Sequence, residues 1–218
     1  MPLREIAGPA GHLEALLDEP PAGTEVRAAA ALGHPHPQHG GTMHTKAVYQ
    51  AAKALARIGC EVLRFNFRGT GTSAGAFDDG PGEMEDFRAG LAFMQARHPA
   101  APVWAGGMSF GAWIALTVGT DDPRVSTLIG IAMPVTRYDF EPVARSTKPK
   151  FFIHGERDEI CSEKAMRAFY ARCREPKELV VIDGADHVFD GKVSEVADAI
   201  EDLLGDWNHK DHKEHKDS

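Results

Sequence analysis

The stretch PVWAGGMSFGAWIALTVG (102–119) decides the fold of this chain. Its first five residues form a short apolar run that is typical of a buried strand, and SFGAWIALTVG (109–119) forms an apolar helix. A serine at so tight a strand-to-helix turn needs very small neighbours, because a Cβ beside it would collide with the strand or the helix. The pattern Gly107-Met108-Ser109-Phe110-Gly111 therefore predicts a nucleophile elbow with Ser109 at its tip.

Strand and helix patterns alternate along the rest of the chain. Short apolar runs predict strands at 3–8, 12–17, 26–33, 60–67, 102–106, 126–132, 150–154 and 178–183. Apolar residues at helical spacing predict helices at 44–59, 82–98, 109–119, 162–173 and 193–207. This alternation indicates an α/β fold, with a mostly parallel central sheet and helices on both faces.

Composition predicts one domain and excludes several classes of partner. We expect residues 1–207 to form a single α/β domain, followed by a charged, solvated tail, NHKDHKEHKDS (208–218). The net charge of −8 argues against nucleic-acid and anionic-membrane partners, which need a basic surface. No apolar run is long enough for a membrane span, and the first residues do not resemble a signal peptide. With three cysteines that match no disulfide framework, the pattern is typical of a cytoplasmic protein. It leaves open whether the protein is a monomer or a homodimer.

A second G-x-S-x-G pattern, Gly71-Thr72-Ser73-Ala74-Gly75, lies in a different context. Ser73 follows its strand at a distance, within RGTGTSAGAFDDGPG, and no helix begins before about residue 82. These glycines predict a flexible loop over the sheet edge. Their spacing also lacks the dinucleotide-binding fingerprint. We therefore expect Ser109, and not Ser73, to be the nucleophile.

Two later turns offer the partners that a serine nucleophile needs. Asp158 follows the strand at 150–154, and His187 follows the strand at 178–183. Catalytic groups of open α/β sheets collect at the carboxyl ends of the strands. The order Ser109, Asp158, His187 is that of the α/β-hydrolase triad. Two alternatives remain open at this point: Glu156 or Asp186 could be the acid, and Asp158 could only cap the following helix.

Five segments carry a resemblance to a known family. They are GHPHPQHGGTM (33–43), NFRGTGTSAG (66–75), GGMSFG (106–111), HGERDEI (154–160) and GADHVF (184–189). In this order the chain resembles the α/β-hydrolases, and more closely the small lidless bacterial serine hydrolases related to dienelactone-hydrolase-like esterases. The resemblance implies a carboxylesterase without a cap domain and without a cofactor. Dienelactone hydrolases carry cysteine at the elbow, so Ser109 favours ordinary carboxylic esters.

The three histidines of GHPHPQHGG (33–41) allow two interpretations. The resemblance aligns this turn with the loop that supplies one oxyanion donor, here the backbone N–H of His36, beside that of Phe110. Pro35 and Pro37 lack an N–H and stiffen the turn, which suits a preorganised donor. The alternative is a metal-dependent hydrolase that uses His34, His36 and His39, but no second set of ligands is evident. We expect no metal.

Substrate size can be argued from the short segment between the strands at 126–132 and 150–154. It is too short for a cap domain, so the site should be open and suited to small, short-chain esters. Candidate substrate-binding walls are Phe110 together with Met108, Tyr138 and Phe140. Thioesters, amides and acyl transfer use the same triad. A non-catalytic binding protein of the same fold would normally lack one of the three triad residues.

Overall fold

One eight-stranded sheet organises residues 3–207, the part of the chain that the computed structural model describes. Its strands are β1 (Glu5–Gly8), β2 (Gly11–Asp18), β3 (Ala28–Gly33), β4 (Cys60–Phe65), β5 (Val103–Met108), β6 (Val125–Ile131), β7 (Lys150–Gly155) and β8 (Lys177–Ile182). They are ordered β1-β2-β4-β3-β5-β6-β7-β8. The pairs β1–β2 and β2–β4 are antiparallel and all others are parallel, which confirms the predicted sheet.

Within residues 3–207, six α-helices cover the two faces of the sheet. They are α1 (Lys46–Arg57), α2 (Pro81–Arg97), α3 (Phe110–Asp121), α4 (Glu141–Arg145), α5 (Glu163–Arg172) and α6 (Val193–Leu204). The five predicted helices are confirmed within a few residues at their ends. Helix α4 and a 3-10 turn at Pro37–His39 were not predicted, because neither is long enough to show a helical period.

Two hydrophobic cores result, one on each face. Buried side chains of α2, α3, α4 and α5 form one core, and those of α1 and α6 form the other. Successive strand residues alternate between them: Val103 and Ala105 face the first core, whereas Trp104 faces the second. Because both faces are covered, β3 is buried along its whole length and consists of alanines, leucine and glycine.

The parallel strands bring several loops to one edge of the sheet. Since β3, β5, β7 and β8 run in the same direction, the segments that follow them meet at their carboxyl ends. The connection from β6 to β7 contains only α4, five residues long, and within the described residues no cap domain stands over this edge. None of the helices in residues 3–207 is long and apolar enough to cross a membrane. The tail at 208–218 lies outside the described residues.

A buried ion pair joins the antiparallel and parallel parts of the sheet. Arg64 of β4 donates from Nε to Asp18 Oδ2 over 2.6 Å, and both side chains are only 4% exposed. Arg64 Nη1 also donates to the carbonyl of Met43, and Lys53 contacts the second oxygen of Asp18 at 2.9 Å. Each carboxylate oxygen of Asp18 therefore contacts a cation, which offsets the cost of burying its charge.

We expect Arg64→Met to lower the free energy of unfolding by about 3 kcal/mol, because it leaves the buried Asp18 carboxylate with Lys53 alone. The matched control is Arg88→Met, which breaks a solvent-exposed pair with Glu85 and should cost less than about 1 kcal/mol. Urea denaturation of both variants measures the two values. Equal losses would contradict a special role for the buried pair.

Candidate active site

Ser109 occupies a strained turn between β5 and α3. Its φ of 55° and ψ of −120° are rare for a residue with a side chain. A Cβ at Gly107 or at Gly111 would lie 2.4 Å from the nearest backbone atom, so neither position accepts a larger residue. The Ser109 N–H donates to the carbonyl of Ile131 at 2.9 Å, which anchors the turn to β6. The strand–turn–helix context predicted for Ser109 is present.

A chain of side-chain hydrogen bonds starts at this serine. His187 Nε2 lies 2.9 Å from Ser109 Oγ, and His187 Nδ1 lies 2.8 Å from Asp158 Oδ2. Asp158 follows β7 and His187 follows β8, and all three residues are at most 9% exposed. An ionised carboxylate can only accept, so Nδ1 of His187 donates to it and the neutral ring presents a lone pair at Nε2 to the serine hydroxyl.

The alternative acids are occupied elsewhere. Glu156 Oε2 accepts from the Gly184 N–H, and Asp186 Oδ1 accepts from the N–H groups of Val188 and Asp190. Asp158 does not cap the following helix, because Ser162 accepts from the Ala165 N–H and caps α5. Asp158 Oδ1 caps the following loop by accepting from the N–H groups of residues 160 and 161, and its Oδ2 is left for His187.

Asp158 is held in its ionised form. Burial by itself raises the pKa of a carboxyl group, but hydrogen bonds from His187 and from the Cys161 N–H, with the nearby imidazoles, outweigh burial and lower the pKa of Asp158 below its usual value. A carboxylate that is already charged and already bonded can orient the imidazole without reorganising.

A second histidine, which the sequence pattern did not reveal, lies beside Asp158. His154, the fifth residue of β7, is fully buried, and its Nε2 donates to the carbonyl of Cys161 over 2.8 Å. Its Nδ1 lies 3.9 Å from Asp158 Oδ2 and has no hydrogen-bond partner. Burial lowers the pKa of His154, so the ring is uncharged. Its hydrogen bond to Cys161 fixes the loop that carries Asp158. Its place directly before Gly155 in HGERDEI was the only signal in the sequence.

The turn after β3 places His34 and His36 in different environments. His34 is fully buried; its Nδ1 bonds to the carbonyl of Pro35 at 2.7 Å and its Nε2 accepts from the Phe67 N–H at 3.1 Å. His36 is partly exposed, and its carbonyl accepts from the N–H groups of His39 and Gly41. Within residues 3–207, the backbone N–H groups of His36 and Phe110 donate to no other residue and remain available to a ligand.

The histidine arrangement does not favour the metal interpretation. Both ring nitrogens of His34 are bonded to the backbone, and Nδ1 of His36 accepts from the Gln38 N–H at 3.3 Å. In the described part of the chain, no group of three or more His, Cys, Asp or Glu side chains is placed to hold a metal ion. The histidines of the tail lie outside the described residues.

Ser73 is buried, and its hydroxyl is used in hydrogen bonds within the protein. Ser73 Oγ donates to the Asn66 carbonyl at 2.7 Å and accepts from the Glu14 N–H at 2.9 Å. Glu14 also accepts from the Asn66 side chain and the Thr72 N–H. Hydrogen bonds to Glu14 therefore attach this loop to β2. This corrects the expectation of a flexible loop, because the sequence pattern did not reveal these polar partners.

A cavity of about 260 Å³ opens beside the triad. Besides Ser109, His187, Phe110 and the turn at Pro35 and His36, its walls are His39, Pro134, Arg137, Tyr138, Ile160 and Val188. Of the predicted walls, Tyr138 and Phe110 line it. Met108 and Phe140 do not: Met108 points into the core under α1 and α6, and Phe140 packs edge-on against Phe169.

Comparison with known proteins extends this picture. The hydrolase family described as "Serine aminopeptidase, S33" matches residues 37–140. An uncharacterized protein of Rickettsia prowazekii is 37% identical over 214 residues, which cover 94% of this chain and 89% of the relative. An alpha-beta serine hydrolase homologue from Coxiella burnetii superimposes with a TM-score of 0.87 at 38% identity, covering 92% of this chain and 95% of the other.

A serine hydrolase without lid from Xanthomonas campestris gives the same TM-score of 0.87 at 34% identity, covering 96% of this chain and 95% of the other. Identity above 30% over nearly the whole length of each chain is much stronger evidence of common family membership than a shared fold.

Burial of His34 predicts a pH-dependent stability. The pKa of His34 falls to about 4 in the folded protein, chiefly because of burial, against 6.5 for a free imidazole. Between these values the unfolded chain binds a proton that the folded protein does not, so stability is lost as pH falls. We expect this group to contribute a loss of about 2 kcal/mol between pH 7 and pH 5.

Urea denaturation at several pH values measures this loss. His34→Gln should flatten the dependence of unfolding free energy on pH, whereas His44→Gln, at an exposed position, should leave it unchanged. A wild-type slope retained in His34→Gln would assign the effect to other groups.

Proposed function

The chain belongs to the α/β-hydrolase superfamily, and from that premise we propose that it is a serine carboxylesterase acting on small, short-chain acyl esters. One observation carries the proposal. Ser109, in its strained turn, is joined to His187 and through it to Asp158 by hydrogen bonds of 2.9 and 2.8 Å. A hydroxyl is a poor nucleophile unless an adjacent base takes its proton, and this geometry supplies that base.

The reaction proceeds in two halves. Ser109 Oγ attacks the ester carbonyl while His187 Nε2 accepts its proton, and the tetrahedral intermediate collapses when the imidazolium returns that proton to the departing alcohol. Water then repeats the sequence on the acyl-enzyme and releases the carboxylic acid. Asp158 keeps the ring in the tautomer with its proton on Nδ1 and stabilises the imidazolium.

The backbone N–H groups of His36 and Phe110 are the proposed oxyanion donors. Both belong to residues that line the same cavity as Ser109. The Phe110 group lies in the first turn of α3, where N–H groups have no partner within the helix. The His36 group stands between two prolines, whose fixed φ limits the movement of the turn. Losing one such donor typically costs about 3 kcal/mol of transition-state stabilisation.

The size of the cavity supports small substrates. Its volume of about 260 Å³ is below the usual range for pockets that enclose drug-sized ligands, and no cap extends it within the described residues. A long acyl chain would lie mostly in water and gain little from burial. Among the described residues that line the cavity none is acidic. A peptide amino terminus would need such a carboxylate, so esters are favoured over aminopeptidase substrates.

We expect Ser109→Ala to lower kcat/KM for short-chain chromogenic esters by about 10³-fold or more, because the nucleophile is lost. Ser73→Ala serves as the matched control from the second G-x-S-x-G pattern. It should cost about 1–3 kcal/mol of stability, since it leaves buried polar groups unpaired. It should keep kcat/KM within a few-fold of the wild type.

A serine-directed phosphonate provides an independent readout. Intact mass measurement should give one adduct on the wild type and on Ser73→Ala, and none on Ser109→Ala. An inactive but folded Ser73→Ala together with an active Ser109→Ala would reverse the assignment.

The contribution of His36 should depend on its backbone. His36→Ala keeps the N–H and should retain most activity, whereas His36→Pro removes it and should lower kcat/KM by about 10²–10³-fold. Circular dichroism and thermal melting check that three successive prolines leave the fold intact. The metal interpretation makes the opposite prediction: severe loss in His36→Ala and in His39→Ala, with inactivation by chelators and rescue by zinc.

A further inference from the structure

The cavity that contains Ser109 has an unusual charge for this protein. Four of its lining side chains are basic in type, Arg137 and the imidazoles of His36, His39 and His187, and none of the lining residues is acidic. The chain as a whole carries a net charge of −8. Arg137 therefore gives the lining of this cavity a positive charge, whereas the chain as a whole is negative.

Arg137 has no internal partner. Within residues 3–207 its guanidinium forms neither an ion pair nor a hydrogen bond, whereas most other arginines are paired. Nearby carboxylates are engaged elsewhere: Asp139 accepts from the Glu141 N–H at 2.8 Å, and Glu159 accepts from the His187 N–H at 3.2 Å. Asp79 lies close enough to influence His36 and Tyr138 but forms no ion pair with Arg137.

The backbone beneath Arg137 is held firmly. The N–H groups of Arg137 and Tyr138 both donate to the carbonyl of Pro134, which closes a tight turn directly after β6. The Tyr138 ring stacks on Trp113 of α3 with centroids 4.3 Å apart and planes 8° from parallel. The guanidinium thus extends from a fixed base, which reduces the entropy lost when it binds a ligand.

His36 adds a neutral donor to the same cavity. Its Nδ1 accepts from the Gln38 N–H, so the uncharged ring carries its proton on Nε2. Burial and the neighbouring His39 lower the pKa of His36, which keeps the ring uncharged at neutral pH. The lining residues therefore include the charged guanidinium of Arg137 and the uncharged imidazole N–H of His36. Both groups can donate hydrogen bonds to the oxygens of an anion.

We propose that Arg137 is a specificity-determining residue, and that the preferred substrates are esters that carry a carboxylate on their acyl or alcohol part. This inference rests on the proposed esterase function and deepens it. A guanidinium binds a carboxylate through two parallel N–H donors, a geometry that a neutral group cannot reproduce. A cavity of about 260 Å³ has room for only a few atoms between the scissile carbonyl and the carboxylate. This corresponds to a half-ester of a small dicarboxylic acid or an acyl ester of a hydroxy acid.

Two matched pairs of substrates test the proposal. For the acyl side they are the monoethyl ester of succinic acid and the ethyl ester of 4-oxopentanoic acid, which replaces the carboxylate by a methyl ketone; titration of the released acid follows both. For the alcohol side they are 4-acetoxybenzoate and 4-acetoxybenzamide. We expect the wild type to prefer the anionic member of at least one pair in kcat/KM by about tenfold, the low end for a charged hydrogen-bonded contact because Arg137 is solvent-exposed.

Variants at position 137 assign the preference. Arg137→Gln should abolish it by lowering kcat/KM for the anionic ester about tenfold more than for the neutral ester, and Arg137→Lys should retain part of it because the charge remains and the two parallel donors are lost. The matched control is Arg157→Gln, which removes the same charge beside the triad loop from a side chain 77% exposed and outside the cavity. It should keep the wild-type preference.

Binding separates this inference from the esterase proposal. Isothermal titration of Ser109→Ala with monoethyl succinate, and of the double variant Ser109→Ala/Arg137→Gln, measures recognition without turnover. Binding that depends on Arg137 supports the anion site even if the wild type hydrolyses no ester. Hydrolysis of both pairs without preference, or a loss in Arg137→Gln that is equal for anionic and neutral esters, overturns the inference and leaves the esterase intact.

Discussion

The close backbone contact at the turn of Ser109 is the constraint on which the rest of the site depends. A Cβ at Gly111 would lie 2.4 Å from the carbonyl carbon of Gly33, and one at Gly107 would lie 2.4 Å from Gly111 itself. Gly33 of β3 and Gly107 of β5 therefore both pack directly against Gly111 of α3. The same contact that forms the turn of Ser109 also brings the turn after β3 against the start of α3. One close packing contact therefore positions the proposed nucleophile and both proposed oxyanion donors, His36 and Phe110.

Hydrogen bonds fix the orientation of the proposed acid, Asp158, and the proposed base, His187. Asp158 uses one oxygen to close its own loop and is left with one for His187. His154 also holds this loop by donating from Nε2 to the carbonyl of Cys161. The carboxylate thus has little freedom to rotate, and the imidazole is oriented before a substrate arrives. Ordering of this kind is paid for during folding, which is why an oriented base is more effective than the same groups on mobile loops.

The sequence predicted the features that depend on apolar periodicity and chain order. It failed for features that depend on the direction in which a side chain points. Every strand, the five longer helices and the meeting of Ser109, Asp158 and His187 follow from apolar spacing and the carboxyl-end rule. Met108 and Phe140 were misjudged because closeness in sequence to the site says nothing about where a side chain points. Met108 directly precedes Ser109 at the end of β5, and its side chain points into the core beneath α1 and α6.

Charge acts on this protein at two distances, and the two effects have opposite signs for an anion. The net charge of −8 repels an anionic ester from afar, but at physiological salt that repulsion is screened beyond about 8 Å. Within the cavity no described lining residue is a carboxylate, and the contact that we propose for Arg137 attracts an anion at short range. Added salt weakens both effects: it relieves the distant repulsion and loosens the contact. A short-range guanidinium is therefore the feature that can make an acidic protein select an acidic substrate.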